Sequence, residues 1–367
     1  MKLALLQSFL PSRSQGGVGH FTHQFANRLV ARGHQVTVFS LDPPPEDAAY
    51  TVIQPEPNLP YLRGRLGRCY GFGIWLARQR YEAFDVVHAL GDNHFLRADA
   101  PVVRTISGAA LAEALHARKL STRLMQLSRY PLELLGVAQA DAAVGISRNS
   151  NAFFPWVRAV IPQGIDRAVF RPARQKSTAP SILFVGHRLH DRKRAYLLLD
   201  AFRRVVRPAI PQAELWLVCE DRVETAGVAC YANLPLEALA ELYRRAWLFC
   251  LPSSYEGFGR PYAEAMASGT PVVATPNPGA REVLDESRYG ALAPPARLGE
   301  TLVALLGDDA WRQRLATAGL ARAADFDWAR VVAQYERLYL QTIARKRRSP
   351  QRAQLAGVAR GQGFGDD

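Results

Sequence analysis

Short apolar runs of strand length alternate along the chain with stretches whose apolar residues recur at helical spacing. In the first half, Lys2–Gln7, Gln35–Ser40, Asp85–Leu90, Pro101–Ile106 and Ala140–Ile146 read as strands. Val18–Ala31 carries the helical period, and Gly33 ends it. Residues 160–180 are rich in Pro, Gly and polar side chains, and their second half reads as a linker. The pattern restarts at Ser181–Gly186, with further strands at Ala213–Cys219, Ala246–Pro252 and Pro271–Ala274. Trp328–Ala344 predicts a final amphipathic helix. Strands alternating with helices imply α/β architecture with parallel sheets. Two such halves joined by a linker would face each other across a cleft. We expect an N-terminal domain over 1–172, a C-terminal domain over 173–327, a helix over 328–345 able to pack back on the N-terminal domain, and a basic disordered tail over 346–367.

A chain of 367 residues is long enough for two domains, and 48% hydrophobic against 22% charged residues gives each a full core. The opening MKLALLQSFLPS is too short and polar for a signal peptide and reads as a first buried strand. No apolar run approaches the ~18 residues of a transmembrane helix. The four cysteines show no metal-like pairing, and Cys219 and Cys250 fall in apolar strands as inert core residues. A cytoplasmic enzyme fits. The net charge of +13 is uneven: residues 1–172 hold 19 Lys+Arg against 12 Asp+Glu, which is +7. The basic tail could touch nucleic acid or anionic lipid, but an inert solvated tail is the preferred reading, and no nucleic-acid partner is expected.

The most informative stretch is YEGFGRPYAEAMASGTPVVATPNPGAREV, starting at Tyr255. Glu256 and Glu264 are separated by seven residues. Glu256 lies in a loop after an apolar strand. Pro261 suits the first turn of a helix, where Glu264 would also fall. Gly257 and Gly259 let backbone N–H groups approach a ligand closely. Acceptors and donors mixed at a strand-to-helix junction match a sugar hydroxyl or a ribose diol, whose hydroxyls both donate and accept. A glutamate at a helix start also complements the macrodipole without any ligand, but that leaves Glu256 and the glycine loop unexplained. Asp325-Phe-Asp327 resembles a metal-binding DxD, but it precedes the last helix and reads as a cap.

Two further loops carry chemistry. Gly16, Gly17 and Gly19 open the first helix, where N–H groups could hold a phosphate. With Asp42 they also resemble a dinucleotide fingerprint, but Thr22 stands where a third glycine would, and Ser8–Gln15 is a long loop. After SILFVG, His187, Arg188, Arg192, Lys193 and Arg194 gather before a helix. Such cations suit a diphosphate and stabilise charge developing on it as it leaves.

Together these segments resemble the glycosyltransferase group 1 family, retaining enzymes of the GT-B fold, over roughly residues 1–345. GGVGHFTHQFANRLVARGHQVTVFS, VIPQGIDRAVFRP, SILFVGHRLHDRKRAYLLLDAF and LYRRAWLFCLPSSYEGFGRPYAEAMASGTPVVAT carry the resemblance. The last holds the family's Glu-x7-Glu motif. The implied fold is two Rossmann-like parallel-sheet domains facing across a cleft. By the same resemblance, Glu256 contacts donor-sugar hydroxyls, helped by backbone at Gly257, Phe258 and Gly259. Glu264 accepts from the nucleotide ribose, Lys193 binds the diphosphate, Gly16 and Gly17 approach the distal phosphate, and the base rests near Asn233 and Leu234. There are departures. His187 stands where the family has arginine, with Arg188 one step on, able to serve. Ser107 stands where the family often has histidine, and neither it nor Thr105 can act as imidazole. Asn233 lies in a loop where the family has glycine.

The implied reaction moves a sugar from a nucleotide diphosphate to an acceptor hydroxyl with retention, by a front-face route in which the departing oxygen takes the acceptor proton. No metal and no cofactor beyond the nucleotide-sugar donor is expected. The acceptor, a glycan, a lipid-linked molecule or a small molecule, would bind the N-terminal half. There Leu111–Leu127 reads as a basic amphipathic helix. It could lie peripherally on the anionic inner face of a membrane, although the preferred reading packs its leucines inside. Two other classes remain: a sugar-nucleotide-binding subunit without catalysis, and a nicotinamide-dependent oxidoreductase.

Overall fold

The computed structural model of the chain describes residues 1–361 apart from 12–16, 57–58, 63, 65–66, 92, 118, 187–188 and 190–191; of residues 68–69 and 349–361 it describes the backbone alone. The chain divides into two compact units. The first comprises Met1–Ile146, Ser150–Ile161 and the C-terminal segment from Val331; the second comprises Ser147–Asn149 and Pro162–Arg330. Residues 162–172, which the sequence pattern placed with the first half, therefore belong to the second. Ile165 N donates to Phe326 O at 2.7 Å. A β-carbon on Gly164 would lie 2.2 Å from the Trp328 ring, so only glycine fits there.

The first unit is built on a six-stranded sheet of β1 (Lys2–Leu6), β2 (Gln35–Phe39), β3 (Thr51–Ile53), β4 (Val86–Ala89), β5 (Val102–Ile106) and β6 (Ala142–Gly145). Its order is β3-β2-β1-β4-β5-β6, and every neighbouring pair is parallel. The second unit repeats the plan with β7 (Ser181–Val185), β8 (Glu214–Val218), β9 (Val228–Tyr231), β10 (Leu248–Leu251), β11 (Val272–Ala274) and β12 (Ala291–Leu292), in the order β12-β11-β10-β7-β8-β9. Central strands covered by helices on both faces need apolar side chains at every position, which is why β1 and β10 read as unbroken runs. The strands missed in the sequence, β3, β9 and β12, are edge strands of 3, 4 and 2 residues, too short to show a period. In each sheet the chain leaves its first strand towards one edge and then returns to the other side. This creates a switch point between β1 and β4, and another between β7 and β10. Open parallel sheets bind ligands outside the carboxyl ends of strands at such points.

The helix Gly17–Ala31 buries Phe21, Phe25, Ala26 and Leu29, one face of a 3.6-residue period. Gly33, at φ +85°, ends the turn that follows it. The last helix runs from Trp328 to Gly361, through residues expected as a disordered tail from 346 onward. One reason is that Lys346 Nζ is anchored on Asp141 Oδ2 and Ala100 O, both at 3.0 Å. Further up the helix, Glu336 takes a two-pronged bond from Arg32 at 2.7 Å and one from His34 at 2.9 Å. These partners hold its carboxyl below the usual range, the Arg32 hydrogen bond being the largest cause.

Tyr335 and Tyr339 of this helix are fully buried over β4 and β5. His88 Nδ1 meets Tyr339 Oη at 2.6 Å, His88 Nε2 meets Thr105 Oγ1 at 2.8 Å, and Thr105 meets Tyr335 Oη at 3.0 Å. Burial, and secondarily the charge of Arg104, pulls the His88 pKa from 6.5 down to about 3. The unfolded chain therefore takes up a proton below its ordinary histidine pKa that the folded chain refuses until about pH 3. Stability should fall as pH drops through that window, by upward of about 1 kcal/mol per unit. In urea titrations at successive pH values, His88→Gln should lose less stability on acidification than the parent; equal slopes would contradict this reading.

Candidate active site

The second unit's switch point is flanked by the loops after β7 and β10, and both are rich in polar side chains. β10 is wholly buried and delivers the chain into Pro252–Gly259, which turns into the helix Arg260–Ala267. Gly259 has φ +89°, and a β-carbon on it would lie 2.3 Å from the Tyr262 ring, so glycine alone permits the turn. Pro261 occupies the first turn of the helix, where no N–H is needed.

Glu256 is 5% exposed. Ser253 Oγ donates to its Oε1 at 2.7 Å, and Arg192 Nη1 lies 3.2 Å from its Oε2. Arg192 also donates to Tyr255 O at 2.7 Å, and its own carbonyl accepts from Ser254 N at 2.9 Å. The two loops are thus laced together, with the carboxylate held beside a guanidinium. A third element closes the arrangement. Asn277 caps the helix Pro278–Leu284 by accepting from Ala280 N at 3.0 Å, while its amide donates to Ser253 O and to Tyr262 Oη, both at 3.2 Å. Tyr262 is fully buried; burial, and then the charge of Glu256, pushes its phenol well up.

The basic loop divides by role. Arg194 sits in the left-handed region at φ +54°. It donates to Pro252 O at 2.6 Å, Ser253 O at 3.2 Å and Thr275 Oγ1 at 2.9 Å, so it ties its own loop to the loops after β10 and β11. Lys193 lies over Gly186, with Nζ donating to Val185 O at 3.1 Å at the end of β7. His187 and Arg188 lie outside the described residues, as does Gly16.

Glu264 stands beyond the first turn of its helix, one step later than the sequence pattern suggested, because the helix starts at Arg260. It is 8% exposed, and accepts from Arg260 Nε at 2.8 Å and Tyr243 Oη at 3.2 Å. Burial, followed by the charge of Glu264, raises the Tyr243 phenol well above its ordinary value. The i,i+4 spacing of Arg260 and Glu264 made that pair legible in the sequence, whereas Tyr243 and Ser253 as partners were not. Asn233 has φ +51° in the exposed loop that Leu234 continues towards the helix Leu236–Arg245. Asparagine tolerates this conformation, so it supplies the turn a glycine would. The Phe258 ring belongs to the core, edge-on to Phe326 at 5.2 Å, and Gly257 O accepts from Ser147 Oγ at 2.6 Å. Asp327 caps the last helix through Ala329 N at 2.8 Å, and Asp325 pairs with Arg322 and Arg330.

The first unit has its own cavity, about 350 Å³, at the carboxyl ends of β1, β4 and β5. Ser107 lines it, together with Gln7, Arg104, Glu113, Arg129 and Glu133. Gln7 is buried and, among the described residues, its Oε1 has no hydrogen-bond partner; Gly91 packs on it where a β-carbon would lie 2.8 Å from that oxygen. Gly17 opens the first helix, and among the described residues nothing lies within 4 Å of its β-carbon position, whereas a β-carbon on Gly19 would meet Phe9 O at 2.7 Å. Asp42, the acid of the dinucleotide-like pattern, is buried and accepts from Leu10 N at 3.1 Å, so it serves its own loop. Gln7, Arg104 and Arg129 were not singled out in the sequence because they are distant in the chain and form no motif.

Residues 179–308 match the family described as Glycosyl transferases group 1, and residues 15–169 match Glycosyltransferase Family 4. The chain belongs to the group 1 glycosyltransferase family, on a GT-B fold of two six-stranded parallel α/β units. It is 33% identical to the phosphatidyl-myo-inositol mannosyltransferase of Mycobacterium tuberculosis over 205 residues, 50% of this chain and 54% of that protein. The match thus spans about half the length of that relative. It is 28% identical to the MMP alpha-(1->4)-mannosyltransferase of Mycolicibacterium hassiacum, covering 94% of this chain and 99% of that one. Among solved structures, sucrose-phosphate synthase from Thermosynechococcus elongatus superposes with a TM-score of 0.73 at 23% identity, over 94% of this chain and 99% of that one. HepE of Anabaena in complex with UDP-glucose superposes at 0.68 with 18% identity, over 94% and 99% of the two chains.

Proposed function

We propose that this chain transfers a sugar from a nucleotide diphosphate to an acceptor hydroxyl, with retention at the anomeric carbon. One observation carries the reading: Glu256, from the loop after β10, is held 3.2 Å from Arg192, from the loop after β7, beside the switch point of one sheet. An acceptor for sugar hydroxyls and a group of cations for a diphosphate thereby share the edge where open sheets bind ligands. Glu256 takes the sugar hydroxyls, with backbone at Gly257–Gly259. Lys193 and Arg188 take the diphosphate, Glu264 the ribose diol, and the base rests at Asn233 and Leu234. Relatives named as mannosyltransferases and a neighbour solved with UDP-glucose support a nucleotide-sugar donor.

Glu264 is engaged by Arg260 and Tyr243 and shares no partner with Glu256 in the hydrogen bonds described. With Glu264 engaged in this way and assigned to the ribose, the reading takes a front-face route and not the two-carboxylate route of retaining hydrolases. The diphosphate leaves, its oxygen takes the acceptor proton, and the protein supplies position and positive charge. In this reading the loop cations replace a divalent metal. The acceptor hydroxyl, on a glycan, a lipid-linked molecule or a small molecule, is assigned to the first unit's cavity, where Gln7 Oε1 suits a hydroxyl donor.

The test is a transfer assay over UDP, GDP and ADP sugars, chosen by thermal shift, with product anomeric configuration read by NMR. Retention, and full rate in excess EDTA, are expected. Inversion, or a loss restored by Mn²⁺, would overturn the corresponding part of the reading. Ser107, where an imidazole would be expected, favours as a second reading a subunit that binds sugar nucleotides without catalysis; binding with neither transfer nor hydrolysis over the panel would select it.

A further inference from the structure

The sequence pattern along 111–127 predicts buried leucines, and the structure leaves Leu115, Leu120, Leu124 and Leu127 exposed. Two helices form there, Ala110–His116 and Leu120–Ala138. Leu115 is 62% exposed, Leu120 70%, Leu124 58%, Leu127 41% and Leu135 40%. Residues 120, 124, 127 and 135 fall on one stripe of the second helix. The same helix turns Gln126, Arg129 and Glu133 to the cavity, and at 100° per residue that is its opposite side. A single exposed leucine is ordinary, but a contiguous row marks an interaction surface.

Charge decides the partner. Lys119 and Arg123 flank the stripe and are exposed. The only acids between residues 111 and 138 are Glu113 and Glu133, and both line the cavity. An exposed Trp156, 54% accessible, lies on the adjoining segment, which is tied to the helix by Tyr130 Oη donating to Phe153 O at 2.8 Å. Leucines and a tryptophan among cations, without acids, complement an anionic bilayer surface. A second copy fits poorly, because a twofold contact would set the same cations against each other. Among the described residues no helix is long and apolar enough to cross a membrane.

We propose that this face docks on the surface of an anionic lipid bilayer. The leucine stripe and Trp156 enter the headgroup region, and Lys119 and Arg123 contact lipid phosphates. The docking goes beyond the transfer reading and does not depend on it.

The experiment is co-sedimentation of the full chain with vesicles of phosphatidylglycerol and phosphatidylcholine, against phosphatidylcholine alone. Binding to the anionic vesicles that weakens with salt is expected. Leu120→Ser with Leu124→Ser should lower partitioning at least about tenfold. Lys119→Gln and Arg123→Gln should each lower it about fivefold. Leu340→Ser, at a 58% exposed leucine outside the stripe, should bind like the parent. Circular dichroism melting confirms that the variants fold. The proposal is overturned if the parent ignores anionic vesicles at low salt, or if the double serine variant binds like the parent. It is equally overturned if light scattering finds a dimer that the double variant dissolves.

Discussion

Replacing Glu256 by alanine should cut the rate of sugar transfer by about a hundredfold or more, the scale seen when a preorganised polar group is lost from a reacting centre. Nucleotide affinity should stay near the parent's, and the melting temperature should fall by only a few degrees. Among the described residues the carboxylate has two partners, Ser253 at 2.7 Å and Arg192 at 3.2 Å. Arg192 is half-exposed and keeps its bond to Tyr255 O, so its charge remains solvated and anchored after the substitution. The folding cost is confined to one buried hydroxyl, about 1–3 kcal/mol. Glu264→Ala should behave differently, weakening nucleotide affinity more than turnover, because its partners lie on its own helix and on the helix Leu236–Arg245. Calorimetric titration with the nucleotide, alongside steady-state kinetics, separates the two. Transfer at the parental rate by both variants would place the site elsewhere.

Adding one methyl group at Gly279 should damage both stability and turnover. A β-carbon there would sit 2.6 Å from Glu256 O and 2.9 Å from Glu256 Cβ. Neither atom can move aside by a rotamer change, so the loop and the helix Pro278–Leu284 must part. Overpacking of this kind costs about 1–3 kcal/mol. The displacement is delivered to the backbone carrying Glu256, so turnover should fall further than stability explains. Gly307→Ala is the control: among the described residues nothing lies within 4 Å of its β-carbon position, and it should be neutral or slightly stabilising. Urea denaturation and the transfer assay measure both quantities. A Gly279→Ala variant as stable and active as the parent would show that the loop does not depend on this contact.

The central strands and the principal helices were legible in the sequence because their residues are buried on a period. Leu3, Leu5 and Leu6 in β1 and Phe249, Cys250 and Leu251 in β10 are wholly or almost wholly inaccessible. Glu256 was legible as well, since a carboxylate and glycines after a buried strand have a local signature. Periodicity misjudged the helix Leu120–Ala138: it marks a stripe of leucines but not whether anything covers the stripe. It also stopped the last helix short, because Arg345–Arg348 look like a solvated tail until Lys346 is seen on Asp141.

The chain by itself determined two α/β halves, their central strands, and the acid-and-glycine loop, because backbone period and turn chemistry are local properties. Only the tertiary structure decided which cation meets Glu256, that Arg194 is a brace, that Gln7 is buried beside Ser107, and that the leucines of the helix Leu120–Ala138 form an exposed stripe. Those facts depend on strands far apart in sequence being neighbours in a sheet. Sheet order and side-chain contact, set by packing of the whole chain, carry no trace in any short segment.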